Sequence, residues 1–284
     1  MRRLLGPALA GLLLFNVSTA IGQGDAKRGL YLSKAAGCLG CHTEEKDNAQ
    51  PYAGGRALKT PFGTFYGPNI TPHVEAGIGR WSEQDFIRAM REGRRPDGAH
   101  YFPSFPYPSF TQISDPDLGD LWAYLRSLPQ SDRKSTPHDL RFPFGWRWLM
   151  WGWKLLFFKP GPFAGDPARS AVVNRGAYLT NALGHCGECH TPRNFLGGPN
   201  RNRHLAGAEV EGADAPNLTP ARLKGKTDAE VKDFLQTAMT PDGDVAAESM
   251  AEVVRNTTSQ LTAEDLDALI VYLRSLPPLP DAPK

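Results

Sequence analysis

Cys38-Leu39-Gly40-Cys41-His42 and Cys186-Gly187-Glu188-Cys189-His190 are the two stretches that decide the fold of this 284-residue chain. In each, two thiols stand three positions apart and a histidine directly follows the second. That spacing lets both sulfurs add to the two vinyl groups of one haem while the histidine lies beneath the iron as proximal ligand. A lone Cys-x-x-Cys is also compatible with a zinc half-site or a redox dithiol. Here each pair carries a trailing histidine and sits in its own copy of a repeated unit, which favours haem. Cys38, Cys41, Cys186 and Cys189 are therefore read as cofactor-binding and His42 and His190 as metal ligands, so two covalently bound haem c groups are expected. These are all the cysteines of the chain, and none remains for a disulfide.

The repeat extends to both sides of the motifs. Arg28-Gly29-x-Tyr31-Leu32 precedes the first and Arg175-Gly176-x-Tyr178-Leu179 the second. Downstream, Pro68-Asn69-Ile70-Thr71-Pro72 answers to Pro216-Asn217-Leu218-Thr219-Pro220, and Tyr124-Leu125-Arg126-Ser127-Leu128-Pro129 to Tyr272-Leu273-Arg274-Ser275-Leu276-Pro277. These downstream pairs and the cysteines share one offset of 148 residues. Each copy reads as helical. Ser82-x-x-Asp85 and Thr227-x-x-Glu230 look like capping boxes opening a middle helix, and Ser114-x-x-Asp117 and Thr262-x-x-Asp265 do the same for a final one. In the final helices Leu118, Leu121, Trp122 and Leu125, and Leu266, Leu269, Ile270 and Leu273, recur at helical spacing, which reads as core. Both helices stop at a proline. The Pro-Asn-(Ile/Leu)-Thr-Pro loop either supports the haem, through its propionates or the second nitrogen of the proximal histidine, or is a simple connecting turn. Arg56, Arg193 and Arg203 are candidate propionate partners or solvated loop arginines.

The N-terminus has basic Arg2 and Arg3, an apolar stretch from Leu4 to Phe15 and small residues Ser18-Thr19-Ala20, the three parts of a secretory signal with cleavage expected after Ala20. The apolar stretch is shorter than the roughly 18 to 20 residues that span a bilayer. Removing residues 1–20 leaves 30 basic and 30 acidic residues, so no global charge argues for nucleic acid. The expected division is 1–20 signal peptide, 21–132 first domain, 133–170 aromatic-rich linker and 171–284 second domain. Within the linker, Phe142 to Phe163 is dense in Trp and Phe and interrupted by Arg147 and Lys154. One reading is a helix packed across the two domains. The other is a segment at a membrane surface or against a partner, since amphipathic aromatics prefer such boundaries.

The sixth iron position separates a carrier from a haem open to small molecules, and a methionine thioether there favours reduced iron and raises the potential. In the second copy Met250 is the candidate metal ligand, ahead of Met239, which falls near the end of the middle helix. In the first copy, aligning Pro96-Asp97-Gly98 with Pro241-Asp242-Gly243 places Phe105 opposite Met250, while the 148-residue offset places Phe102 there. Phenylalanine cannot ligate in either case. Met90, between helical neighbours, reads as core. The first iron is then five-coordinate or bound by another group, with His100 and Tyr107 as candidates. His73, His138, His185 and His204 read as surface or supporting residues.

At Asn69-Ile70-Thr71-Pro72, Gly77-Ile78-Gly79-x-Trp81-Ser82, Phe105-Pro106-Tyr107-Pro108-Ser109-Phe110, Gly184-His185-Cys186-Gly187-Glu188-Cys189-His190-Thr191-Pro192-Arg193 and both Tyr-Leu-Arg-Ser-Leu-Pro ends, the chain resembles the di-haem cytochrome c subunits of bacterial membrane-associated dehydrogenases acting on alcohols, gluconate, aldehydes or nicotinate. The resemblance implies a mainly α fold of two tandem class I cytochrome c domains. It further implies a periplasmic electron-transfer subunit of the respiratory chain, exported by its signal peptide, that takes electrons from a partner dehydrogenase and passes them to quinone or a terminal oxidase. Three-haem members of the family carry a third motif, which this sequence lacks, and members with methionine at the Phe105 position have an ordinary first haem. The competing reading is a di-haem peroxidase-like enzyme with an open first haem, which would need an acid or base such as Glu92 or Asp97 over the iron.

Overall fold

A computed structural model describes residues 24–210 and 212–282. The signal peptide expected at 1–20 lies outside the described residues. The first copy opens with α1 (Ala26–Ala35), whose N-terminus is capped by the Asp25 side chain. The chain then turns through left-handed Gly37 into α2 (Cys38–His42). A hairpin of β1 (Ala57–Thr60) and β2 (Gly63–Tyr66) follows, then α3 (Glu83–Glu92), the short α4 (Tyr107–Phe110) and α5 (Asp115–Ser127). The connecting region contributes β3 (Asp139–Leu140), which pairs antiparallel with β2, and α6 (Leu149–Phe157). The second copy runs through α7 (Ala171–Tyr178), α8 (Gly187–His190), a hairpin of β4 (Ala208–Val210) and β5 (Ala213–Ala215), α9 (Pro220–Leu223), α10 (Asp228–Thr237), α11 (Glu248–Asn256) and α12 (Ala263–Arg274).

In each copy the first long helix crosses the last, α1 on α5 and α7 on α12. The crossing depends on the glycine of Arg-Gly-x-Tyr-Leu. A Cβ on Gly29 would lie 2.0 Å from the Asp120 carbonyl oxygen, and one on Gly176 would lie 1.9 Å from that of Ala268. Only a residue without a side chain lets these backbones approach so closely.

The Arg-Gly-x-Tyr-Leu pair is offset by 147 residues, Arg28 to Arg175, one fewer than the cysteines. The extra residue is absorbed where α7 continues into a π turn at Leu179–Leu183, a wider turn that lets a helix take an insertion without losing its direction. The chain leaves that turn through His185, held at φ 38°, and so reaches Cys186 in the position that Gly37 provides for Cys38.

All four expected caps form, but not in the same way. Ser82 and Thr227 make complete capping boxes, with Asp85 and Glu230 reaching back to the cap residue. Ser114 and Thr262 accept from the N–H groups of Asp117 and Asp265, whose carboxylates are used elsewhere. Asp117 binds Arg28 of its own copy and takes the Tyr178 hydroxyl of the other at 2.5 Å. Asp265 binds Arg175 at 2.6 Å and takes the Tyr31 hydroxyl at 2.5 Å. Each tyrosine of the repeat thus crosses to the other copy, and the two crossings are reciprocal.

The packing follows the same reciprocity. One buried cluster joins Leu32, Phe86, Leu118 and Leu121 of the first copy to Tyr178, Leu179, Ala182 and Leu183 of the second. A second cluster, around Leu205, Leu266, Leu269 and Leu273, fills the interior of the second copy. The last turn of chain before β3 also packs on the first copy, where buried Asn69 donates to the carbonyls of Ser131 and Arg133, each at 2.9 Å.

Candidate functional site

Each Cys-x-x-Cys-His motif forms a short helical turn, so its two cysteines, three residues apart, share one face. Burial pushes the thiols of Cys38 and Cys41 up to about 11 and that of Cys186 up to about 12. Among the described residues, no three His, Cys, Asp or Glu side chains are grouped to hold a bare metal ion.

The two histidines are set identically. His42 Nδ1 lies 2.8 Å from the Pro68 carbonyl and His190 Nδ1 lies 2.7 Å from that of Pro216. A carbonyl only accepts, so Nδ1 carries the hydrogen and Nε2 keeps its lone pair. Burial holds both imidazoles below the ordinary histidine range and therefore neutral. The carbonyl is itself fixed. Asn69 Oδ1 accepts from the Thr71 N–H at 2.9 Å, and Asn217 Oδ1 accepts from the Thr219 N–H at 2.8 Å. Of the two roles open for the Pro-Asn-x-Thr-Pro loop, the structure shows it holding Nδ1 of the histidine in each Cys-x-x-Cys-His motif. This donor set fits haem c: two thiols on one face of a turn and an imidazole with its free nitrogen fixed. The only buried side-chain polar atoms without a hydrogen-bond partner among the described residues are Tyr107 Oη and Thr180 Oγ1. Thr180 lies in the π turn, and its carbonyl accepts from the Cys186 N–H at 3.0 Å.

Met250, on α11, is half-buried and packs against the second core cluster, as Cys186 does. Phe105 packs against the first cluster, as Cys38 does. Met239 is 48% exposed, and Met90 is buried in the first core. Backbone pairing settles the alignment. The Arg94–His100 bridge matches the Met239–Val245 bridge, and Tyr101 N–H to Gly93 O matches Ala246 N–H to Ala238 O, both 2.8 Å, all at an offset of 145. Phe105, not Phe102, therefore stands opposite Met250. Phe102 instead packs against Phe65 and His138 beneath the Arg147 guanidinium.

His100 is engaged by Lys154. Its Nδ1 takes a hydrogen from the Lys154 ammonium at 3.0 Å, which leaves the ring's own hydrogen on Nε2. Tyr107 is fully buried under Lys154, whose Nζ lies 4.6 Å from its ring centre. Glu92 and Asp97 are exposed. The candidate propionate arginines have other partners: Arg56 pairs with Glu45 and Glu252, Arg193 with Glu188, and Arg203 with the carbonyls of Pro280 and Asp281.

The motifs face each other across the boundary between the copies. α11 packs on α2, with Glu252 accepting from Arg56 at 2.8 Å and lying 3.3 Å from where a Gly40 Cβ would stand. In the reverse direction Ser109 donates to Glu188, between the second pair of cysteines, at 3.0 Å. The His185 ring meets Phe110 edge-on at 5.4 Å. Cys189 is near enough to add to the upward push on the Cys41 thiol, which burial dominates. Sequence reasoning missed these crossing contacts, although the repeated Tyr31/Tyr178 and Asp117/Asp265 were in view as motif members.

A mainly helical protein with two identically built haem-attachment turns is a multi-haem c-type protein. The chain belongs to the cytochrome c family, whose domain matches residues 26–129 and 173–277. It is 45% identical over 260 residues to a diheme cytochrome c-type protein of Cereibacter sphaeroides, covering 89% of this chain and 86% of that one. It is 44% identical over 260 residues to a subunit of the nicotinate dehydrogenase of Pseudomonas putida, covering 90% of this chain and 22% of that one. The fructose dehydrogenase cytochrome subunit of Gluconobacter japonicus is 40% identical over 255 residues, covering 88% and 52%. The chain thus spans about half or less of the length of these last two. It carries two covalently bound haem c groups and is an electron-transfer protein.

Proposed function

We propose that this protein is a periplasmic di-haem carrier that takes electrons from a partner dehydrogenase and delivers them to quinone or a terminal oxidase at the periplasmic face of the inner membrane. Cys38, Cys41 and His42 hold the first haem, and Cys186, Cys189 and His190 hold the second, with Met250 as sixth ligand. Haem supplies the one-electron couple. The protein fixes the imidazoles through Pro68 and Pro216, excludes water through the two buried clusters and holds the attachment turns face to face. Phe105 leaves the first haem without a thioether. The observation that carries the reading is the contact of each copy's axial segment with the other copy's attachment turn, α11 on α2 and Ser109 on Glu188. A two-site wire needs that proximity.

Glu92 and Asp97 are both exposed, and Asp97 pairs with Arg95, so neither supports peroxide chemistry. The test is proton NMR and peroxide turnover of the mature holoprotein. One haem-ligated methionine methyl signal is expected, lost in Met250→Ala, with no sustained consumption of hydrogen peroxide by the reduced protein. Two such signals, or a signal that survives Met250→Ala, overturn the ligand assignment, and sustained peroxide turnover overturns the carrier reading.

A further inference from the structure

α6 is amphipathic in the wrong sense for a helix facing water. Its charged residue, Lys154, points inward, where it donates to the carbonyls of Glu92 and Gly93 at 2.5 and 2.8 Å and caps the end of α3. Arg147, just ahead of the helix, also turns inward and donates to the His100 carbonyl at 2.9 Å. Trp153 is buried, with its indole N–H on the Leu196 carbonyl at 3.0 Å. What remains outward is Trp148, Trp151 and Leu155, spaced three and four residues apart on one face and 67, 66 and 74% exposed. Phe142, Leu156 and, from the second copy, Phe195 at 88% extend the patch. Single exposed apolar side chains are ordinary, but a contiguous set of this size marks an interaction surface.

The charge around it identifies the occupant. The two segments that form the patch, 140–165 and 190–208, contain seven Lys or Arg and no Asp or Glu, in a chain whose totals are 32 and 30. Arg141 and Lys159, at the ends of the aromatic stretch, are exposed, and Arg201 donates to the Phe157 carbonyl at the patch edge. Tryptophans that project together, with Arg141, Lys159 and Arg201 at the patch edge, match the boundary between acyl chains and anionic headgroups. Among the described residues no helix is long and apolar enough to cross a membrane, so this surface would lie on the bilayer rather than pass through it.

We propose that the outward face of α6, with Phe142 and Phe195, seats the protein on an anionic lipid surface. The proposal rests on the periplasmic-membrane reading above and names the surface responsible. The test is co-sedimentation of the holoprotein with vesicles of phosphatidylethanolamine and phosphatidylglycerol, beside vesicles of phosphatidylcholine alone. Binding to the anionic vesicles is expected, weakened by salt, with Trp148→Ser/Trp151→Ser losing on the order of tenfold or more in affinity. Brominated acyl chains should quench the parent's tryptophan fluorescence. An unchanged haem spectrum and thermal midpoint show that the variant is folded. A parent that ignores anionic vesicles, or a folded variant that binds as the parent does, overturns the proposal, as does a patch that mediates only self-association. Haem reduction and reoxidation in vesicle-free solution test the carrier reading separately, so each can fail alone.

Discussion

Tyr31 and Tyr178 are one motif position used twice, and each spends its hydroxyl on the opposite copy. Tyr31 donates to Asp265 and Tyr178 to Asp117, while Arg175 and Arg28 hold the same carboxylates from their own sides. Burial, followed by the neighbouring aspartate, pushes both phenols above the ordinary tyrosine range, so they stay protonated donors at neutral pH. A hydrogen bond to a charged acceptor contributes about 1.5 to 3 kcal/mol, and each Tyr→Phe change leaves the Arg–Asp pair in place. Tyr31→Phe/Tyr178→Phe should therefore cost about 3 kcal/mol or more in denaturant unfolding, with both haem spectra retained. Unchanged stability would mean that the crossing bonds do not hold the copies together. The tyrosines and the aspartates were each visible in the sequence as repeat members. Their pairing was not, because a capping-box acid is expected to serve its own helix, and only tertiary packing brings the other copy's phenol to it.

At the scale of elements, periodicity and caps were readable wherever local chemistry decides. The Ser82 and Thr227 boxes formed in full because Asp85 and Glu230 are not drawn to the other copy as Asp117 and Asp265 are. The π turn was hidden, since one inserted residue in a helical stretch gives no compositional signal. The small sheet was also hidden: β1, β2 and β3 are short, and β3 joins from beyond the final helix of the first copy. That sheet is secured by His138, whose Nδ1 accepts from the Tyr66 N–H at 3.1 Å while its ring packs on Phe65 and Phe102. Burial, aided by Arg147 and Arg95, lowers His138 to about 4. The folded value lies below the unfolded one, so the stabilisation is complete above the unfolded value near 6.5 and is lost as pH falls towards 4. The thermal midpoint should fall across that window, and His138→Gln should flatten the fall. An equal slope in the variant would assign the acid sensitivity to other groups.

For the whole molecule, one buried cluster joins the two copies, and a second fills the interior of the second copy. The sequence made the duplication, the haem chemistry and the unusual Phe105 legible, because these depend on residue type and spacing. It was silent on how the copies meet, since that depends on which surfaces fit. The interface places α11 over α2 and Ser109 against Glu188, so each attachment turn is covered by the other copy. The aromatic stretch packs inward through Trp153 and Lys154, as one of its two readings expected, and leaves Trp148 and Trp151 facing outward. Within this shared fold the two haems of the proposed carrier exchange electrons. Flash photoreduction of the oxidised holoprotein, followed at wavelengths that separate the two haems, tests it directly. A bimolecular reduction is expected, followed by a redistribution between haems whose rate does not change with protein or reductant concentration. Two haems that fill independently, with every phase scaling with concentration, would contradict it.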